Sequence, residues 1–168
     1  MIRTILLIAV FLLVVTALST IYTVDQREQV LVLQFGEPVQ VVKDPGLHFK
    51  TPFVQNLERF DKRVLDLNAR PSEVIASDQK RLIVDAFVKY RIVDPLRFYQ
   101  TVRDENTLIQ RLNTNLDSSL RQVLGSIPLS TLLTGERGRI MGDIQKNVME
   151  KSNEFGIEIV DVRIMRAD

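Results

Sequence analysis

The residue types that could carry chemistry in this chain are few. Its single imidazole is His48, which allows at most one His in acid–base work and rules out a metal site built on two His. His48 sits in the apolar, turn-flanked stretch PGLHFKTPF, where a packed or hydrogen-bonded ring is the simpler reading. Cys is absent, which removes disulfides, thiol nucleophiles and thiolate metal ligands together. Gly135-Glu136-Arg137-Gly138-Arg139 is rich in Gly but lacks the spacing and the preceding strand of a phosphate-binding loop, so it reads as a polar helix start. Glu158 and Asp161 lie in a charged, solvated stretch, where a tuned acid–base pair is not expected. A Ser–Lys dyad stays open only because both residues are common. The residues therefore predict no catalytic set, no cofactor and no metal.

Charge points the same way. Apart from Arg3 the chain carries 21 Lys and Arg against 21 Asp and Glu, with no block of one sign. Nucleic acid needs a concentrated basic surface, so it is not an expected partner.

The strongest signal lies at the N-terminus. Between Arg3 and Asp25 run 21 uncharged residues, 13 of them Leu, Ile, Val or Phe. As a helix they would reach about 31 Å, enough for a hydrocarbon core of about 30 Å. The expected anchor, residues 1–24, is built on Ile5, Leu6, Leu7, Ile8, Val10, Phe11, Leu12, Leu13, Val14, Val15, Leu18 and Ile21, with Tyr22 as an interfacial aromatic. A discarded secretory leader, for which Ala17-Leu18-Ser19 offers small residues, fits less well, because the apolar stretch is too long and the leading basic region too short. A buried core helix fits worse, since nothing else in the chain is apolar enough to enclose it. Arg3 before the segment and Asp25-Gln26-Arg27-Glu28 after it favour a cytoplasmic N-terminus with the body outside.

The rest, residues 25–168, reads as one α+β body. Gln29–Phe35 and Val39–Val42 are short Val-rich runs separated by Gly36-Glu37-Pro38, hence strand, turn, strand. Asp44-Pro45-Gly46 makes another turn, and Leu65–Asn68 alternates as a half-buried strand. Arg81–Ile92 is the clearest strand: Leu82, Val84, Ala86, Val88, Tyr90 and Ile92 share one face. At Asp94-Pro95 the period changes, predicting an N-capped short helix to about Val102. A longer helix over 105–124 places Ile109, Leu112, Leu116, Leu120, Val123 and Ile127 on its stripe, and Gly125 and Pro128 end it. A third helix, capped by Thr134, carries Ile140, Ile144, Val148 and Phe155 until Gly156. The closing strand, Ile157–Met165, has Ile159 and Val160 both apolar, which predicts a bulge or edge change. Strands first, helices next and a strand last predict helices packed on an antiparallel sheet. The mixed charges on the helices, such as Arg103-Asp104-Glu105, suit a solvated face or a subunit contact.

Five ordered segments together resemble the band 7 or SPFH family of stomatins, prohibitins and flotillins. They are FGEPV after the first strand, PGLHFKTPF (Pro45, Gly46, Leu47, His48, Phe49, Pro52 and Phe53 within it), RLIVDAFVKYRI running into VDPLRFY, LRQVLGSIPLSTLLTGERGRI, and GIEIVDVRI. The resemblance covers about residues 20–168. It implies an SPFH domain on the periplasmic face of a bacterial inner membrane. It also implies a scaffold in place of an enzyme: a large hetero-oligomer with a related HflK-like partner, on membrane lipid, limiting access to the AAA+ protease FtsH. A lipid-organising protein without protease control, or a membrane-bound Ser–Lys hydrolase, are the alternatives to that role. Family members continue past the position of Asp168 into a long Ala- and Glu-rich coiled-coil helix, which the sequence in hand lacks. Either this is part of a longer chain or the helical wall is not made.

Overall fold

The structure, a computed structural model, describes residues 7, 11, 15–16, 18–128 and 137–167. The chain divides into two units, Met1–Lys62 and Arg63–Asp168, and each is taken on its own terms.

In the first unit a helical segment ends at Thr20 and the chain turns at once to strand. Strand β1 (Ile21–Val24) pairs antiparallel with β4 (Gly46–Phe49), and β2 (Glu28–Gln34) is the middle strand between β3 (Glu37–Val42) and β5 (Gln55–Asp61). Residues 21–24, Ile21 and Tyr22 among them, read from the sequence as the end of the anchor, are thus strand residues. Tyr22 is buried with Val24, Val30, Val32 and Val42, with Leu57 packed against them. A β-branched or aromatic residue at every second position suits a pleated strand as well as a membrane helix, and pairing with β4 decides the matter here. β2 buries both faces, which is why its sequence is a continuous apolar run and not an alternation. β3 carries Pro38 without loss because it is an edge strand. Its pairing with β2 slips between Val32 and Leu33, leaving Val39 as the extra, exposed residue.

In the second unit β8 (Arg81–Ile92) is the spine. β6 (Leu65–Asn68) and β7 (Ser72–Ile75) pair along one side of it and β9 (Ile157–Ala167) along the other, all antiparallel. The six β8 residues expected on one face are all buried, with Val84 and Val88 fully so. The register of β8 on β9 skips Val160 between the Tyr90↔Ile159 and Lys89↔Asp161 pairs, so the doubled apolar residue is indeed a bulge. β5 and β7 are strands that the sequence reading passed over.

Among the described residues three α-helices follow β8: α1 (Pro95–Thr101), α2 (Glu105–Leu124) and α3 (Arg137–Ser152). Asp94 caps α1 by accepting from the Arg97 N–H at 3.1 Å, with Pro95 at the first turn as expected. In α2 the buried stripe is Leu108, Leu112, Leu116, Leu120 and Leu124, with Ser119 beside it. The expected stripe had Ile109, Val123 and Ile127 in place of Leu108 and Leu124, and these three are only half-buried. Adjacent apolar residues at both ends of the helix leave the sequence unable to choose, and packing makes the choice. Ile140, Ile144, Val148 and Phe155 are buried as read. The Thr134 cap lies outside the described residues.

Two polar contacts fix the start of α2. Tyr90, driven well above the ordinary phenol range by burial and by Glu105, stays protonated and donates to Glu105 Oε1 at 3.3 Å. Asp104 accepts from the Thr107 N–H at 2.9 Å and from Thr107 Oγ1 at 2.8 Å, and these bonds hold its carboxyl below the usual range. A carboxyl with a depressed folded-state pKa stabilises above its unfolded value, and that stabilisation is lost as pH falls through the folded one. Asp104→Ala is therefore expected to lower the urea midpoint at neutral pH. The gap to the parent chain should shrink near about pH 3, below the unfolded carboxyl value. A gap independent of pH would mean that the carboxylate is not what caps α2.

Candidate functional site

The residues with site potential are placed very unequally by the fold. Of the expected anchor, Ile5, Leu6, Ile8, Val10, Leu12, Leu13 and Val14 lie outside the described residues. Leu7, Phe11, Val15 and Leu18 are helical and exposed. Among the described residues no helix is long and apolar enough to cross a membrane.

The PGLHFKTPF segment becomes β4 and the turn behind it. His48 pairs with Tyr22 across β1 and β4, the two rings 5.7 Å apart, and its Nε2 lies 2.9 Å from the Asp44 carbonyl oxygen. Burial raises the Tyr22 phenol, with Arg59 opposing. His48 thus has the packed, hydrogen-bonded role expected from its setting.

The other face of this strand pair is apolar and open. Ile21 stands opposite Phe49 and Thr23 opposite Leu47, and all four side chains face solvent. From there the chain geometry gathers more. The Lys50 N–H donates to the Thr20 carbonyl at 2.8 Å, so β4 ends beside the last helical residue. Five residues on, Gln55 pairs with Gln34, which places Phe53 and Phe35 at that same end of the β2–β5 ladder. Phe35, Phe49 and Phe53 are 81%, 74% and 88% exposed.

Two of these aromatics are held out against backbone preference. Phe35 (φ 52°) and Gly36 (φ 89°) form the two-residue link of the β2–β3 hairpin, where both positions need φ > 0. Asn or Asp at the first position would be comfortable. A Phe there costs about 1 kcal/mol and gains no packing in return. Phe53 (φ 66°) lies in a turn closed by Gln55 N–H to Thr51 O at 3.0 Å and Thr51 N–H to Gln55 Oε1 at 2.8 Å. Strained, exposed Phe at two turns on one end of a small sheet is a surface built to meet something apolar. The sequence carried a trace of it in Phe-Gly standing where a hairpin turn usually has Asn-Gly.

The catalytic alternatives acquire definite structures. Glu158 is bound by Arg91 at 2.5 Å and Asp161 by Arg163 at 2.8 Å, so the two carboxylates serve separate ion pairs on the sheet. Of the Gly-rich segment, Arg137–Arg139 open α3, and Gly135 and Glu136 lie outside the described residues. A Ser–Lys contact does exist: Lys151 Nζ donates to Ser118 Oγ at 2.9 Å and reaches Gln122 Oε1 at 3.5 Å. Ser118 is exposed, and beside it Asn115 Nδ2 donates to the Lys151 carbonyl at 3.2 Å and contacts Ser152 Oγ at 3.4 Å. A lysine base must be shielded from water to give up its proton, and the acyl oxygen needs preorganised donors. The Ser118–Lys151 pair sits instead in a polar seam that ties α2 to α3. Among the described residues no three His, Asp or Glu gather as metal ligands.

An α+β chain of antiparallel strands with helices following the longest of them is the fold class that the resemblance implies. The chain belongs to the SPFH domain / Band 7 family, whose model matches residues 22–168. Curated relatives include the protein HflC of Haemophilus influenzae (29% identical, 96% of this chain and 59% of the relative). Another is the protein HflC of Buchnera aphidicola subsp. Acyrthosiphon pisum (31% identical, 87% and 54%). A third is the modulator of FtsH protease HflC of Escherichia coli K12 (27% identical, 85% and 45%). The chain spans about half the length of these relatives, and it also resembles the protein HflK of Haemophilus influenzae (29% identical, 92% and 37%).

Proposed function

We propose that this chain is a membrane scaffold subunit that assembles with an HflK-like relative and regulates an FtsH-type protease by limiting its access to substrates. The names of its relatives support the regulatory role, one of them being a modulator of FtsH protease. The observation that carries the membrane part is the apolar tip, which lies where the N-terminal helical segment meets β1. In this reading the anchor spans the membrane before Ile21 and Phe35, Phe49 and Phe53 rest in the lipid interface. The domain stands on the periplasmic side of a bacterial inner membrane, with the N-terminus in the cytoplasm. Tethering confines the domain to two dimensions and raises its effective concentration, so weak lateral contacts suffice for a large hetero-oligomer. Regulation needs no chemistry of its own.

The same tip also favours a second reading, a lipid-organising protein without protease control. Gentle extraction of native membranes, followed by purification through a tag on this chain, separates the two. Co-purification of an HflK-like subunit and a membrane AAA+ protease, with faster turnover of that protease's membrane substrates after deletion, is expected for the scaffold. Unchanged turnover together with altered lipid partitioning would select the second reading.

A further inference from the structure

β7 lies at the edge of its sheet, and its pairing with β8 fixes which of its backbone groups are already used. The Ala76 N–H donates to the Lys80 carbonyl at 2.9 Å, and in an antiparallel ladder the pairs that exchange such bonds recur at every second residue. Ser72 and Val74 therefore turn their N–H and C=O groups to β8, in register with Val84 and Leu82. Glu73 and Ile75 turn theirs outward, where neither finds a backbone partner among the described residues. The next outward group shows what this edge accepts, since the Ser77 N–H donates to the Ile127 carbonyl at 3.1 Å. Free donors and acceptors along an edge are a template for one more strand.

That edge borders a groove of about 650 Å³ lined by Glu73, Val74, Ile75, Arg81 and Arg121. β7 buries Ser72 and Val74 toward α2, so Arg121, in the last turn of α2, belongs to one side of the sheet and the exposed Ile75, opposite Arg81, to the other. Gly125 closes α2 here, and a Cβ at that position would stand 3.5 Å from the Ile75 carbonyl oxygen, so the bare Gly keeps that acceptor approachable. Arg81 reaches Glu73 only at 3.4 Å and in solvent, and Arg121 is exposed with no ion pair among the described residues. Two guanidinium groups against one carboxylate leave the groove positive.

We propose that this groove binds an extended peptide of another protein, one that alternates apolar and acidic residues and adds as a strand to the outer edge of β7. Its backbone pairs with the N–H and C=O groups of Glu73 and Ile75. Successive side chains of a strand point to opposite faces, so the apolar residues lie beside Ile75 while the acids between them face Arg121. Backbone pairing gives affinity for any extended segment, and the positive charge selects acidic ones. Peptide capture at β7 does not depend on the scaffold reading.

The test uses the full chain in nanodiscs and a short fluorescein-labelled peptide alternating Val and Glu, with empty nanodiscs as the baseline. Saturable binding by fluorescence anisotropy is expected. Methylating alternate peptide nitrogens removes at least two edge bonds and should weaken binding about tenfold or more. A peptide alternating Val and Lys should bind several-fold more weakly than the Glu peptide, and Arg121→Glu, a change at an exposed position, should reverse that order. Equal binding of the Glu and Lys peptides, an order that Arg121→Glu leaves alone, or a methylated peptide that binds as tightly as its parent would overturn the proposal. So would no peptide binding at all, and an oxidised Ile75→Cys dimer alongside that result would assign the groove to a second copy of the chain. None of these outcomes touches co-purification with an HflK-like subunit, on which the scaffold reading is judged.

Discussion

A tryptophan substituted for Phe53 is expected to emit from a lipid environment. The chain contains no Trp, so Phe53→Trp creates a single indole, excited apart from the three Tyr, at the most exposed Phe of the tip. In nanodiscs its emission should shift to the blue and be quenched by brominated acyl chains, whereas Gln26→Trp, in the exposed turn at the opposite end of β2, should show neither effect. The magnitude follows from area. Full burial of an exposed Phe is worth about 1.5–3 kcal/mol, so three that are half-immersed contribute roughly 2–4 kcal/mol to docking the tip. Replacing Phe35, Phe49 and Phe53 by Ser should then shift the docked-to-undocked ratio by roughly 30- to 700-fold, at about 1.4 kcal/mol per tenfold. Hydrogen exchange over residues 49–55 of the full chain in nanodiscs reads that shift directly. An indole that emits as in water and ignores the bromines would mean that the three Phe face something other than lipid.

What the sequence disclosed and what it hid have physical causes. β8 was legible because one face is buried and the other solvated, so its period of two is written out over 12 residues. The bulge at Val160 was legible for a related reason, since two adjacent apolar residues break that period. β5 was not, because Leu57 is surrounded by polar and charged residues and only pairing with β2 makes the segment a strand. β1 was hidden inside a longer apolar run, where nothing local separates the end of a helix from the start of a strand. The tip was hidden most thoroughly. Phe35, Phe49 and Phe53 stand in separate stretches of chain, and only the Gln34↔Gln55 register and the Lys50–Thr20 bond bring them to one end.

The second large effect is one of stability and centres on Gly156. This residue ends the 3₁₀ turn after α3 at φ 69°, a conformation that an L side chain adopts at a penalty of about 1 kcal/mol or more. Its carbonyl accepts from the N–H groups of Val93 and Asp94, at 3.1 and 3.0 Å, which pins the junction of β8 and α1 to the start of β9. A methyl group here would lie 2.5 Å from the Asp94 carbonyl oxygen and 2.9 Å from the Phe98 nitrogen, both backbone atoms that cannot swing away. Relief requires α1 to move off, and α1 carries the fully buried Phe98. Strain and lost packing together place Gly156→Ala at about 3–4 kcal/mol, in the tail of point-mutant effects that marks special backbone positions. For a domain of this size that is a fall of roughly 10 °C in Tm. Gly138→Ala, at an exposed site in the first turn of α3 where a methyl meets nothing within 4 Å, should be neutral or mildly stabilising. Equal Tm values for the two variants would show that the β8–α1 junction yields to the added methyl group, and the pinning role assigned to Gly156 would fail.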